Sequence, residues 1–424
     1  MIKEILAPAL AFLCFTLIIL DKRFFNASGI SKILLVAVFS LKTFSAILYG
    51  YFYQTGVLTG GDTFLYFIDG NVIYRTLHTD PLLYLKLALG SNDYKPVPAS
   101  LLPYTDEMRF WFDQSNYFIV RINALIRPFS FGVYNVHAIV FAFLSFTGAY
   151  NLYLFFGRKL THKRFLQVVL FGMPSFVFWT SGMHKDAIVL FSIGTVLYNL
   201  DAIARNEYTV KNIIFILLGM VMLGYGRFYL LVFLLPLMVA LVLEKKFKFS
   251  GSAIYKTIGT GVAMLILTAV LIDVINPKLS YVEEFLVRRD FFLNSPGTMT
   301  FQVQRIPHDF SGVVILLIQA LTNPFIRPLP GDCHSLPAYL VCLETYGILL
   351  ILMILLVLAD WKSVYKNPSA LFCILFGIST LFLVGLIVNN SGAIIRYRTI
   401  PISFILAGLY LMRSKNRIFP VNNN

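Results

Sequence analysis

Residues 338–358 read AYLVCLETYGILLILMILLVL, a run in which Glu344 is the sole charge. As a helix the run measures about 30 Å at about 1.5 Å per residue, the thickness of a bilayer's hydrocarbon core. Hydrocarbon offers no partner to a peptide N–H or C=O, so a segment this apolar must satisfy its backbone internally. A helix does so. One transmembrane helix at 338–358 is therefore the starting point, and the flanking sequence supplies its companions.

Comparable runs follow at 369–388 and 394–412 and precede it at 5–20, 33–53, 133–156, 166–180, 187–203, 212–225, 228–243 and 257–275. A further run at 312–326 is short and ends in Asn323-Pro324, where a helix cannot continue normally. Composition agrees with so much apolar sequence. The chain is 58% hydrophobic and 13% charged, against about 45–50% and about 25% in ordinary soluble domains. The fold class expected is all-α: a polytopic transmembrane helix bundle of about eleven spans, forming a single integral membrane domain over residues 1–424. Two long outer loops, 54–132 and 276–337, interrupt it, and 312–326 is a re-entrant or interfacial piece of the second.

Orientation follows from the short basic loops. Lys22, Arg23 and Lys32; Arg158, Lys159, Lys163 and Arg164; Arg205 and Lys211; Lys245, Lys246, Lys248 and Lys256; Lys362 and Lys366; and Arg413, Lys415 and Arg417 share one side if 312–326 does not cross. That side is the cytosol. The N-terminus then lies outside and the C-terminus inside, in a plasma membrane of bacterial inner-membrane type. These loops also account for much of the +14 net charge, which serves anionic lipid headgroups, and no nucleic-acid motif accompanies it. The first run is followed by no small-x-small cleavage site and reads as a retained anchor. Of the four cysteines, Cys14, Cys342 and Cys373 fall in spans and Cys333 stands alone in an outer loop, so no disulfide framework is implied.

With this topology the unusual polar residues collect at the outer face. Gly60-Gly61-Asp62-Thr63 opens the first long loop, with Tyr66 and Asp69 behind it. The glycines allow a tight turn beside the membrane, and Asp62 suits either a general base or a helix cap. The hairpin Trp179-Thr180-Ser181-Gly182-Met183-His184-Lys185-Asp186 sets a cation beside an acid: Lys185 can meet a phosphate or snorkel, and Asp186 can start the next helix. Arg227 is the sole charge from 213 to 243 and fits an outer turn between two short spans. Lys42 and Glu344 lie within spans, where ions serve function or mutual pairing. The second loop carries Arg288, Arg289 and Asp290, then Arg305, His308 and Asp309, then Arg327-Pro328; Arg396-Tyr397-Arg398 heads the last span. Guanidinium groups suit phosphate oxygens. Asp332-Cys333-His334 lacks the spacing of a zinc site, no cofactor motif is present, and nothing supports a divalent cation.

This outer-face pattern resembles the polytopic glycosyltransferases of the C-type superfamily and the related bacterial surface-polysaccharide polymerases. Gly61-Asp62, the Ser-Gly-x-x-Lys-Asp hairpin, Arg327-Pro328 before the span with Glu344, and Arg396-Tyr397-Arg398-x-x-Pro401 carry the resemblance. It implies an enzyme that takes a polyprenyl-phosphate or pyrophosphate sugar donor outside the cytosolic leaflet and passes the sugar to a glycan or glycolipid acceptor. Asp62 would be the base, with Asp69 the nearest substitute. Lys185, Arg227, Arg327, Arg396 and Arg398 would bind phosphate, supported by His184, Asp186, Glu344 and Tyr397. A transporter or flippase of lipid-linked sugars and a non-catalytic assembly subunit are the alternatives; the first would need a polar path through the membrane and the second no acid at all.

Overall fold

The computed structural model describes residues 2–27, 29–58, 61–90, 92, 96–207, 209–247, 253–275, 281–294, 299–303 and 310–413; Gly60, Lys248, Arg305, His308, Asp309, Lys415 and Arg417 lie outside them. The described residues are all-α, with an isolated antiparallel bridge between Thr300 and Asn390. The α-helices are α1 (Ile2–Asp21), α2 (Lys32–Gln54), α3 (Thr63–Arg75), α4 (Pro81–Leu89), α5 (Leu102–Thr105), α6 (Gln114–Ser130), α7 (Tyr134–Gly157), α8 (Arg164–Gln167), α9 (Pro174–Ser181), α10 (Lys185–Ala204), α11 (Val210–Phe247), α12 (Ala253–Ile275), α13 (Tyr281–Asn294), α14 (Phe310–Ile326), α15 (Leu336–Leu358), α16 (Pro368–Ile387) and α17 (Ser391–Leu411). Among the described residues eight helices are long and apolar enough to cross a membrane: α1, α2, α7, α10, α11 over Val210–Leu243, α15, α16 and α17. The chain is thus a multi-pass helical membrane protein.

Three of the expected runs are not separate plain helices. The 166–180 run starts as α8, widens into a π-turn over Val168–Gly172, and restarts as α9 at Pro174, which has no N–H to continue the ladder. The 212–225 and 228–243 runs join as α11, but Arg227 has φ −151° and ψ 81°, so the helix is broken there.

The chain divides into two compact units. The first comprises Met1–Phe155, Leu170–Gly172 and Val177–Phe228. Within it α1, α2 and α7 interlock through aromatic rings, Phe12 stacking on Phe39 at 5.2 Å and Phe15 on Phe143 at 4.3 Å. Gly148 lets α7 and α10 touch backbone to backbone: a Cβ there would sit 2.4 Å from the Leu190 carbonyl oxygen.

The stretch 54–132 of this unit, read from sequence as a long loop, folds into α3 to α6. Asp80 accepts the N–H groups of Leu82 and Leu83 at 3.0 Å and Pro81 opens α4; Asp113 accepts the Asn116 N–H at 2.9 Å and starts α6. These helices close over buried Tyr66, Ile73, Trp111, Tyr117, Val120 and Ala124. Their apolar faces are short and interrupted, so they form a local core instead of a span.

The second unit comprises Phe156–Val169, Met173–Phe176 and Tyr229–Asn424. In it α16 packs on α17 and α14 packs on α16. Gly385 is at the α14 contact, where a Cβ would lie 2.0 Å from the Ala320 carbonyl oxygen. The segment before α14 runs against the start of α17, the N–H of Phe301 donating to Asn389 O and that of Ser391 to Met299 O, both at 2.9 Å.

Candidate functional site

In the first unit the residues singled out from the sequence assemble. Asp62 occupies the N-cap position of α3, yet its carboxylate accepts no N–H of the first turn. Oδ2 lies 3.4 Å from the Tyr66 hydroxyl, which donates to Asn116 Oδ1 at 2.6 Å. The adjacent Ser115 accepts from Lys185 Nζ at 2.6 Å and donates to the carbonyl of Gly226 at 3.2 Å. That acceptor is available because α11 breaks at Arg227. Arg227 turns its guanidinium to Asp186, and the two side chains are 7% and 2% exposed. Asp186 Oδ2 also lies 2.9 Å from His184 Nδ1, and His184 is the N-cap of α10.

Three polar groups therefore lie next to one another along the chain: Asp62, Tyr66 and Asn116; Ser115 with Lys185 and the Gly226 carbonyl; and Asp186 with Arg227 and His184. Two glycines make this arrangement possible. A Cβ on Gly61 would meet the Tyr53 ring at 2.2 Å and one on Gly182 would meet Tyr49 at 2.5 Å. Thr63 fixes the two turns side by side, its hydroxyl 3.0 Å from the Met183 carbonyl and 2.7 Å from the Tyr134 hydroxyl.

Asp69 stands apart from these groups. It is 1% exposed and accepts the Phe110 N–H at 3.0 Å, tying α3 to the turn before α6. Burial pushes its carboxyl above the ordinary carboxylate range, and the backbone N–H groups of Phe110 and Arg109 offset part of that. Lys42 is fully buried and donates to the hydroxyls of Ser145 at 2.7 Å, Thr180 at 2.9 Å and Ser181 at 3.5 Å, anchoring the end of α9 where the hairpin begins.

In the second unit the arginines meet the backbone. Arg398, 3% exposed, donates to the carbonyl of Pro324 at 3.3 Å and of Arg327 at 2.6 Å, and to the Thr345 hydroxyl. It thereby satisfies carbonyls at the C-terminal end of α14 that have no partner within the helix. Arg289, 1% exposed, does the same for Leu386 near the end of α16. Arg327 is chelated by Asp332 at 2.7 and 2.8 Å and lies over the Phe301 ring at 4.2 Å. Glu344 accepts the Ser175 N–H at 2.8 Å in the first turn of α9, where the free donors of a helix start favour an anion. Arg396 lies 5.6 Å from the ring of Tyr397, and Tyr397 meets Phe292 edge to face.

Sequence reading missed Ser115 and Asn116, the link between acid and cation. A signal was present in Asp113-x-x-Asn116, a helix-start pattern in which Asp113 Oδ2 also accepts from Asn116 Nδ2 at 2.7 Å. Among the described residues no cluster of three His, Cys, Asp or Glu side chains is arranged to hold a metal ion. Compared with known proteins, the chain matches no family model, no curated protein and no solved structure.

Proposed function

We propose that the chain is a membrane glycosyltransferase that works at the extracytoplasmic face on a polyprenyl-phosphate or pyrophosphate sugar donor, in synthesis of a surface polysaccharide or glycoconjugate. The observation that carries the reading is Asp62: a carboxylate at a helix start that caps nothing and is joined through Tyr66 to Asn116, the neighbour in sequence of the Ser115 that holds Lys185. In the reaction Asp62 takes the proton of the acceptor hydroxyl, that oxygen bonds to the sugar's anomeric carbon, and the bond from that carbon to phosphate oxygen breaks. Lys185 stabilises the charge on the departing phosphate. Asp186 and Arg227 hold the hairpin that presents Lys185. In the second unit Arg327, Arg398 and Glu344 are held by backbone and side-chain partners of that unit and are given no part in the transfer step.

The proposed topology has eleven crossings: the eight long apolar helices, one more from dividing α11 at Arg227, and two from 164–181 and α12, while α14 does not traverse. Exposed Ser335, changed to Cys, should then react with an impermeant maleimide from outside, and exposed Lys362, changed to Cys, should not. External labelling at 362 would reverse the scheme.

The activity is tested with purified Asp62→Asn, which keeps the side chain's shape and removes the base. Transfer from a lipid-linked donor should fall by about 10²- to 10⁴-fold. Near wild-type transfer would leave Asp62 a bystander; a wild-type protein that moves the donor across liposomes without transferring its sugar would make the chain a flippase.

A further inference from the structure

Cys333 follows the short turn Pro330–Asp332, and Cys342 stands in the second turn of α15. The fold brings them into one buried cluster with Ala338, against which Met299 packs. The Cys333 thiol lies 3.5 Å from the Leu329 carbonyl and 3.4 Å from that of Ala338, one helical turn before Cys342. The Cys342 thiol lies 3.5 Å from the carbonyl of Pro328, the residue before Leu329. The two sulfurs thus reach the adjacent carbonyls of Leu329 and Pro328 within the one buried cluster.

We propose that Cys333 and Cys342 are a redox pair joined by a disulfide. Two thiols give up two protons and two electrons, and the disulfide of a thiol oxidoreductase accepts them and becomes a dithiol. Burial, with the Cys342 sulfur alongside, pushes the Cys333 thiol up to about 11, so little thiolate is present to attack the donor disulfide and the bond forms slowly. The outer placement of this turn, in a compartment where disulfides persist, belongs to the topology proposed above; the pairing itself does not depend on it.

The bond would lock the turn that carries the Arg327–Asp332 chelate and the carbonyls on which Arg398 is fixed. Closing this short ring removes freedom from the unfolded chain, and the locked turn holds the end of α14 in place.

Membranes bearing the full chain are treated with diamide, denatured, blocked with N-ethylmaleimide, reduced, and labelled with a maleimide polymer that retards the band once per thiol. The wild type should take two labels, Cys14→Ser and Cys373→Ser also two, and Cys333→Ser and Cys342→Ser none. An unlabelled wild type, or labels that vanish with Cys14 or Cys373, overturns the pairing. Dithiothreitol should lower the melting temperature of the wild type by about 5 °C and leave Cys333→Ser unmoved; equal shifts in both proteins would overturn the stabilising role.

Discussion

The two units differ in what their most buried arginines hold. In the first, charges reach side chains on other segments: Arg227 meets Asp186, Lys185 meets Ser115, and Lys42 meets three hydroxyls. In the second, Arg398 and Arg289 meet backbone carbonyls at helix ends, and Glu344 meets a backbone N–H at a helix start. The difference matters because a helix ending inside a membrane protein leaves carbonyls that water cannot reach, and a guanidinium with five donors can satisfy several at once. An arginine in an apolar sequence therefore marks either a polar site or a helix terminus. Its immediate neighbours in sequence do not say which.

The contrast is sharpest for two buried arginines. Arg227→Met removes the guanidinium from a buried ion pair and leaves the Asp186 charge without it, a loss of about 3–5 kcal/mol. Adding Asp186→Asn should recover much of that loss. Arg398→Met leaves neutral carbonyls unsatisfied and should cost about 1–3 kcal/mol. Thermal unfolding in detergent measures both, and equal losses, or no recovery in the double variant, would erase the distinction between the units.

Next in size is a difference in pH response between two carboxylates. Asp69 has a folded value raised above its unfolded one, so the folded state holds the proton more tightly. Its contribution is greatest below about 3.9 and falls as pH rises toward the raised value. For Asp332 burial alone would raise the value. The hydrogen bonds from Arg327 and Leu329, the Arg327 charge and the Ser391 hydroxyl outweigh burial and hold it below the usual carboxylate range. Its contribution is present above about 3.9 and is lost as pH falls through the lowered value. Asp69→Asn and Asp332→Asn should consequently alter the acid limb of the stability profile in opposite directions. Parallel changes would show that the two carboxylates do not differ as described.

The smallest effect belongs to Arg327→Lys. The charge stays, and because both contacts to Asp332 come from the one nitrogen Nη1 an ammonium can still reach the carboxylate, but it cannot stack as a flat group over Phe301. A loss of about 1 kcal/mol is expected at this partly exposed pair, read by the same unfolding assay. A loss as large as that of Arg227→Met would mean that the turn is as ionic in character as the first unit's Arg227–Asp186 pair.

The sequence by itself determined the membrane-spanning character, because hydropathy is a property of contiguous residues: α1, α2, α7, α10, α15, α16 and α17 correspond to runs visible in one dimension. It also marked Asp62, the hairpin at 179–186 and Arg227 as unusual, since polar groups are conspicuous against apolar flanks. It did not show that residues 63–130 form helices with their own core, because their apolar positions are shared among short amphipathic segments and a turn. Only the tertiary structure decided what each polar group touches. Ser115 binds the Gly226 carbonyl across 111 positions, Glu344 reaches Ser175 across 169, and Arg398 reaches Pro324 across 74. Hydrogen bonds and ion pairs act over about 3 Å in space whatever the separation along the chain, so packing chooses the partners.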